Sequence, residues 1–191
     1  LASVVPPDPT YTPNLPAAVV RKGLLSDAQL EAVVYAGQAH QQMLRDGSRR
    51  GFFLGDGTGV GKGRQISGII MDNMRQGRKK AVWLSKKKEL MADAQRDFAD
   101  IGGDEKLIFS QANSKVGDKI MPKEGILFAG YATIRSQSKA AQTARKAAGG
   151  NRTAGEGGFL YERVKQIVDW VGKDFDGVLV FDEAHEMGNA V

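Results

Sequence analysis

Short apolar runs alternate with stretches of helical periodicity along most of this chain, and that alternation limits its fold more than any other feature. Runs at 51–55, 81–85, 107–110, 125–130 and 178–181 are apolar, short and bounded by glycine or charged residues, as strands are. Between them, apolar residues recur at helical spacing. A helix is predicted from Ser26 to about Arg45 on Leu30, Val33, Val34 and Ala36, ended by Asp46-Gly47-Ser48. A second is predicted over 62–76 with Ile66, Ile69, Ile70 and Met74 on one side, and a third over 88–101. A fourth, over 159–171, is predicted to face Leu160, Val164, Ile167, Val168 and Val171 inward. Repeated strand-then-helix units with continuously apolar strands predict an α/β domain, a mostly parallel sheet with helices on both faces.

The 191 residues suffice for one such domain but are short for two. Residues 1–22 hold Pro6, Pro7, Pro9, Pro13 and Pro16 and are expected to form an extended arm over the surface. The domain then occupies 23–191. Residues 136–158 break the alternation with Ala, Gly, Ser, Lys and Arg, including Lys139, Arg145, Lys146 and Arg152. They read as a flexible basic insert, either a surface loop or an arm against phosphates. The chain opens on Leu1 rather than Met and stops just after an acidic motif, so it is expected to be a piece of a longer protein.

The net charge of +5 fits a nucleic-acid partner and equally a solvated surface. Without cysteine there is no disulfide framework, and His40 and His185 are too few for a zinc site. No stretch is long and apolar enough to span a membrane and no signal-peptide pattern opens the chain, so the cell interior is expected.

Residues 54–64, Leu-Gly-Asp-Gly-Thr-Gly-Val-Gly-Lys-Gly-Arg, fall between a predicted strand and a predicted helix, the context a phosphate-binding loop requires. Gly57, Gly59 and Gly61 let the chain curl so that amides at 57–61, those of Thr58 and Val60 included, point into one concavity. The helix beginning at Lys62 adds free amides and its positive dipole end at Gly63 and Arg64. Lys62 supplies a point charge for the β- and γ-phosphates. Two positions depart from the usual pattern. Asp56 stands where Gly or Ala is usual, and Gly63 stands where Ser or Thr places a hydroxyl on Mg²⁺. The metal must then lean on water and on an acidic residue elsewhere.

The run 178–181 ends in Asp182-Glu183-Ala184-His185. At the carboxyl edge of a parallel sheet such carboxylates face the ligand crevice. Asp182 suits Mg²⁺ held through water, and Glu183 suits orienting and deprotonating an attacking water. His185 is expected to couple this motif to a neighbour rather than to do chemistry.

Weaker signals surround these two. Ser26-Asp27-Ala28-Gln29 matches a capping box, while Gln29 also suits reading an adenine edge; both roles are open. Ser85, Lys86 and Lys87 close one strand, and Thr133 and Arg135 follow another. All five are candidates for contacts to a nucleic-acid backbone. Trp83 and Trp170 are expected in the core.

Together these residues resemble the first RecA-like lobe of superfamily 2 helicases. A Q-type motif at 25–30, motif I at 55–62, motif Ia at 81–87, a Tyr-Ala-Thr motif at 131–134 and a DEAH-box motif II at 182–185 fall in the expected order. Phe-Phe-Leu-Gly-Asp-Gly-Thr-Gly-Val-Gly-Lys-Gly-Arg at 52–64 is similar to the signature of the Strawberry notch family, glycine after lysine included. Asp-Ala-Gln-Arg-Asp-Phe-Ala-Asp-Ile-Gly at 93–102 and Asp-Phe-Asp-Gly-Val at 174–178 are similar to that family too. The resemblance covers about residues 11–189. It implies a P-loop NTPase lobe that binds ATP and Mg²⁺ and hydrolyses ATP coupled to movement on DNA, more than RNA. It further implies a second RecA-like lobe in the full-length chain, without which hydrolysis is poor. In bacteria and phages similar proteins join this ATPase to DNA-acting domains, which implies a cytoplasmic setting there and a nuclear one in a eukaryote. Two other readings stay open. Gly63 keeps a non-hydrolysing nucleic-acid-binding domain in play. A P-loop kinase or GTPase is disfavoured by Asp182–His185 and by the absence of a guanine-reading Asn-Lys-x-Asp.

Overall fold

The computed structural model describes residues 7–57, 59–135 and 162–185. They fall into two compact units. The first holds the described residues within 1–77 and 93–105, and the second those within 78–92 and 106–191.

In the first unit the chain runs extended to Pro16, and α1 (Ala17–Arg21) follows it. The proline arm therefore ends sooner than 22, because no proline beyond Pro16 prevents a helical turn. The arm is fastened by side chains. Tyr11 Oη donates to Asp72 Oδ2 at 2.7 Å, and the Asn14 amide donates to Asp72 Oδ1 at 2.6 Å. Asp72 is 1 % exposed, so both of its oxygens need these partners.

Helix α2 (Asp27–His40) starts at the Ser26 cap and stops five residues before the predicted end. The Asp46-Gly47-Ser48 turn extends backwards instead. Met43 and Arg49 form an antiparallel bridge, and the Leu44 amide donates to Ser48 O at 2.7 Å. Helix α3 (Lys62–Arg75) buries Ile66, Ile69, Ile70 and Met71, as its periodicity predicts. Helices α2 and α3 meet at Gly68, where an added Cβ would lie 2.7 Å from a Val33 methyl.

Residues 51–57 form no strand among the described residues, contrary to expectation, and Phe53 is 84 % exposed. A strand is held by neighbours that take its amides and carbonyls, and apolar residues between glycines do not supply them.

The second unit is built on β1 (Lys80–Ser85), β2 (Ile108–Ser110), β3 (Gly125–Gly130) and β4 (Val178–Phe181). All the pairings are parallel, and the order is β2-β3-β1-β4. The α/β class and the parallel sheet are therefore as read from the sequence. β3 is buried throughout, its burial matching the uninterrupted apolar run Ile126–Ala129. β4, expected to be buried, is an edge strand among the described residues, with Leu179 and Phe181 about half exposed. The helix α4 (Met91–Asp100) follows β1 after a short turn at Lys88–Leu90, and its last eight residues belong to the first unit. A single turn, α5 (Tyr131–Ile134), follows β3.

Helix α6 (Glu162–Val171) buries a different face from the predicted one. Val168 is exposed, whereas Arg163, Gln166 and Trp170 are buried; Leu160 lies outside the described residues. Carbonyls of the 111–118 segment decide this. Arg163 Nη1 donates to Gln111 O at 3.1 Å and Ser114 O at 2.7 Å, and Gln166 Nε2 donates to Lys115 O at 2.7 Å. With Arg163 Nη1 and Gln166 Nε2 so bonded, the aliphatic stems of both side chains serve as core, although the buried Arg163 Nε has no partner. Trp170 and Trp83 are both core residues, and Trp170 Nε1 donates to Pro122 O at 2.6 Å. The predicted basic insert at 136–158 lies outside the described residues.

Candidate functional site

The loop before α3 has the backbone its glycines predict. Gly59 and Gly61 take φ of 92° and 83°, in the left-handed region that side chains resist. Gly61 is the N-cap of α3 and carries no side chain to satisfy the helix amides, leaving that end open to an anion. Gly57, Gly59 and Val60 are exposed, and Thr58 lies outside the described residues. Lys62 Nζ folds onto the loop, 3.2 Å from Asp56 O and 3.3 Å from Gly57 O. These are long, neutral acceptors that a phosphate oxygen can replace.

The loop's start and middle are tied to neighbouring helices. Asp56, unusual at its position, accepts from Gln65 Nε2 at 2.6 Å, and Gln65 is fully buried in α3. Gln29 makes both halves of the capping box, donating its amide to Ser26 Oγ at 3.3 Å and accepting from the Ser26 amide at 3.0 Å. Its Nε2 also donates to Val60 O at 2.9 Å. The capping role is therefore seen directly, and the side chain also braces the loop. In this conformation the amide group points at protein partners.

Sequence reasoning missed the neighbour of Gly63. An added Cβ there would overlap Asp97 Oδ2 and lie 3.1 Å from its Cγ. Burial raises the Asp97 carboxyl above the ordinary carboxylate range, opposed by the positive charges of Arg96 and Arg64. Arg64 Nε lies 3.9 Å from Asp97 Oδ1, and Arg64 also pairs with Asp100.

In the second unit Asp182 directly follows β4, and its amide donates to Leu84 O at 2.8 Å, adding one rung to the β1–β4 ladder. Ser85 ends β1 with no exposed surface, and its hydroxyl donates to Asp182 Oδ2 at 2.9 Å. Tyr131 Oη donates to Asp182 O at 2.7 Å. Burial, together with the charges of Asp182 and Glu183, raises the Tyr131 hydroxyl, which keeps it a donor. Glu183 takes φ of 52°, alone among the described non-glycine residues in being positive. A side chain in that region marks strain that the surroundings must hold. His185 Nδ1 lies 3.4 Å from Glu183 Oε2.

The nucleic-acid candidates lie on this same sheet edge. At Gly130 an added Cβ would sit 2.9 Å from the Lys88 amide, so only glycine lets the segment after β1 run this close to the end of β3. That crossing brings the backbone of Lys87 and Lys88 to Gly130, directly before the turn that leads to Thr133 and Arg135. Lys86, Lys87 and Arg135 are exposed and Thr133 half-buried. Ser85 differs from these in pointing to Asp182 rather than outward. Among the described residues no group of three or more acidic, histidine or cysteine side chains could hold a metal ion, and no helix is long and apolar enough to cross a membrane.

The family described as P-loop containing NTP hydrolase pore-1 matches residues 1–191. The chain is 44% identical over 190 residues to Protein strawberry notch homolog 2 of Homo sapiens, covering 100% of this chain and 12% of that protein. It is 42% identical over 195 residues to Protein strawberry notch homolog 1 of Gallus gallus, covering 99% of this chain and 14% of the relative. Protein FORGETTER 1 of Arabidopsis thaliana is 39% identical over 198 residues, with 100% and 14% covered. The chain thus spans 12–14% of the length of these relatives. No solved structure matches. With its phosphate loop and its whole length matched, the chain belongs to the P-loop NTP hydrolase family that includes the strawberry notch proteins.

Proposed function

We propose that this chain is the ATP-binding lobe of a nucleic-acid-dependent ATPase of the helicase or translocase type. The observation that carries the reading is the phosphate loop, with left-handed Gly59 and Gly61 opening a fourteen-residue helix whose first residue is Lys62. Amides of 57–61, with that of Gly63 at the helix start, hold the phosphates, and Lys62 exchanges two loop carbonyls for a phosphate oxygen; the Arg64 amide, expected free, donates instead to Gly61 O at 3.0 Å. Thr58 belongs to this loop by sequence.

Asp182 would hold Mg²⁺ through water, and Glu183 would orient and deprotonate the attacking water. The residues fit the ion, because Asp182 is a hard carboxylate donor whose orientation Ser85 already fixes through one oxygen. Magnesium, when bound, neutralises charge on the phosphates. His185 steadies Glu183.

Lys86, Lys87, Thr133 and Arg135 form a basic edge suited to a nucleic-acid backbone, and the reading takes DNA ahead of RNA. Motors of this kind need arginines from a second lobe to stabilise the transferred phosphoryl group. The lobe alone is therefore a poor hydrolase. A nuclear setting follows for a eukaryotic protein of this kind.

Gly63 favours a second reading, a domain that binds nucleic acid without hydrolysis, because it removes the usual metal-binding hydroxyl. Glu183→Gln in the full-length protein separates the two. The hydrolytic reading expects DNA-stimulated phosphate release to fall by about 100-fold or more. Unchanged release leaves only the second reading.

A further inference from the structure

We propose that Asp97 supplies the magnesium-side oxygen that position 63 lacks. The proposal rests on the loop being a triphosphate site, as argued above. In phosphate loops the residue after the lysine places a hydroxyl on the metal. Here that residue is Gly63, and the volume its side chain would fill holds Asp97 Oδ2, with Asp97 Cγ at 3.1 Å and Cβ at 3.7 Å from an ideal Cβ. A carboxylate oxygen therefore stands where the hydroxyl-bearing side chain would be. Carboxylate is a hard, charged donor and suits Mg²⁺ better than a neutral hydroxyl.

The surroundings hold Asp97 in this place. Ala94 and Phe98 are buried on α4 and fix which face of the helix turns to Gly63. The Asp97 side chain keeps 21% of its surface exposed, so it is not sealed from solvent. Arg64 lies 3.9 Å from the other oxygen and pairs with Asp100, binding the acidic face of α4 to the start of α3. Gly63 and Asp97 thus form one device: a side chain at 63 would displace the carboxylate, and loss of the carboxylate would leave the metal one ligand short. Phosphate oxygens and waters complete the shell, as is usual for Mg²⁺.

The test compares the full-length protein with Asp97→Asn, Gly63→Ser/Asp97→Ala and Lys62→Ala. A fluorescent ATP analogue is titrated in EDTA and in Mg²⁺, and Mn²⁺ affinity of the nucleotide complex is read by electron paramagnetic resonance. Asp97→Asn keeps the side-chain volume, and melting curves report its packing. It is expected to lose the Mg²⁺ enhancement of binding and to weaken Mn²⁺ about tenfold or more, with affinity in EDTA unchanged or tighter. The Gly63→Ser/Asp97→Ala protein, with a hydroxyl restored, is expected to regain most of both. If Asp97→Asn keeps the full Mg²⁺ enhancement and Mn²⁺ affinity, Asp97 is only a packing partner and the inference is wrong. Failure of the underlying reading looks different: wild type and Lys62→Ala would then bind the nucleotide alike, and both claims would fall.

Discussion

The hydroxyl of Ser85 donates to Asp182 Oδ2 across 2.9 Å, joining the last residue of β1 to the residue after β4. Leu84 and Phe181 pair in the parallel register, and the Asp182 amide donates to Leu84 O. The carboxylate is thus fixed by its own backbone and by the serine, before any ligand arrives. A buried serine at a strand end orients an acid here instead of reaching toward nucleic acid.

Removing this hydroxyl should disturb the metal while sparing the fold. Ser85→Ala is expected to raise the Mg²⁺ concentration for half-maximal phosphate release by about 10-fold or more. Stability should change by about 1 kcal/mol, the cost of one hydrogen bond. Magnesium titration of the proposed DNA-stimulated ATPase activity, beside urea unfolding, measures both. An unchanged magnesium requirement would remove Ser85 from the site.

Glu183 sits at φ of 52°, and its side chain therefore costs stability where it stands. Glu183→Gly should be more stable than Glu183→Ala, by up to about 1 kcal/mol, because only glycine takes this conformation freely. Both should lose hydrolysis. Urea unfolding of the pair checks it, and an alanine variant equal to or better than the glycine one would argue against strain at this residue.

Tyr11 gives a pH signature. Burial first, then its hydrogen bond to Asp72 and the Asp72 charge, raise its hydroxyl from 10.0 to about 12. The folded state thus favours the protonated tyrosine more than the unfolded chain does. Its contribution is complete below pH 10 and disappears as pH climbs through about 12. The stability gap between wild type and Tyr11→Phe should therefore shrink across that window, in favour of the phenylalanine variant. A gap constant from pH 9 to about 12 by chemical unfolding would contradict it.

What the sequence disclosed and what it hid follow from the range of the forces involved. The strand Gly125–Gly130 and the helix Lys62–Arg75 carry their own signal in uninterrupted or periodic apolar residues. The Ser26–Gln29 capping box is likewise a local pattern. The buried face of α6 was hidden because Arg163 and Gln166 become core only when carbonyls of the 111–118 segment satisfy them. Residues 52–54 are as apolar as a strand, yet pairing is a property of neighbours. The glycine at 63 looked like a defect in the loop, and its reason, the Asp97 carboxylate, belongs to another helix. The loop itself was legible, since left-handed Gly59 and Gly61 are what its spacing asks for.

The most direct test of the whole account is calorimetric titration of the full-length protein with ATP in magnesium, for wild type and Lys62→Ala. Loss of a charged partner to phosphate is worth about 1.5–3 kcal/mol, so the account predicts saturable binding weakened about 10- to 100-fold by the substitution. Equal affinity in the two proteins, or no saturable binding in wild type, would contradict it.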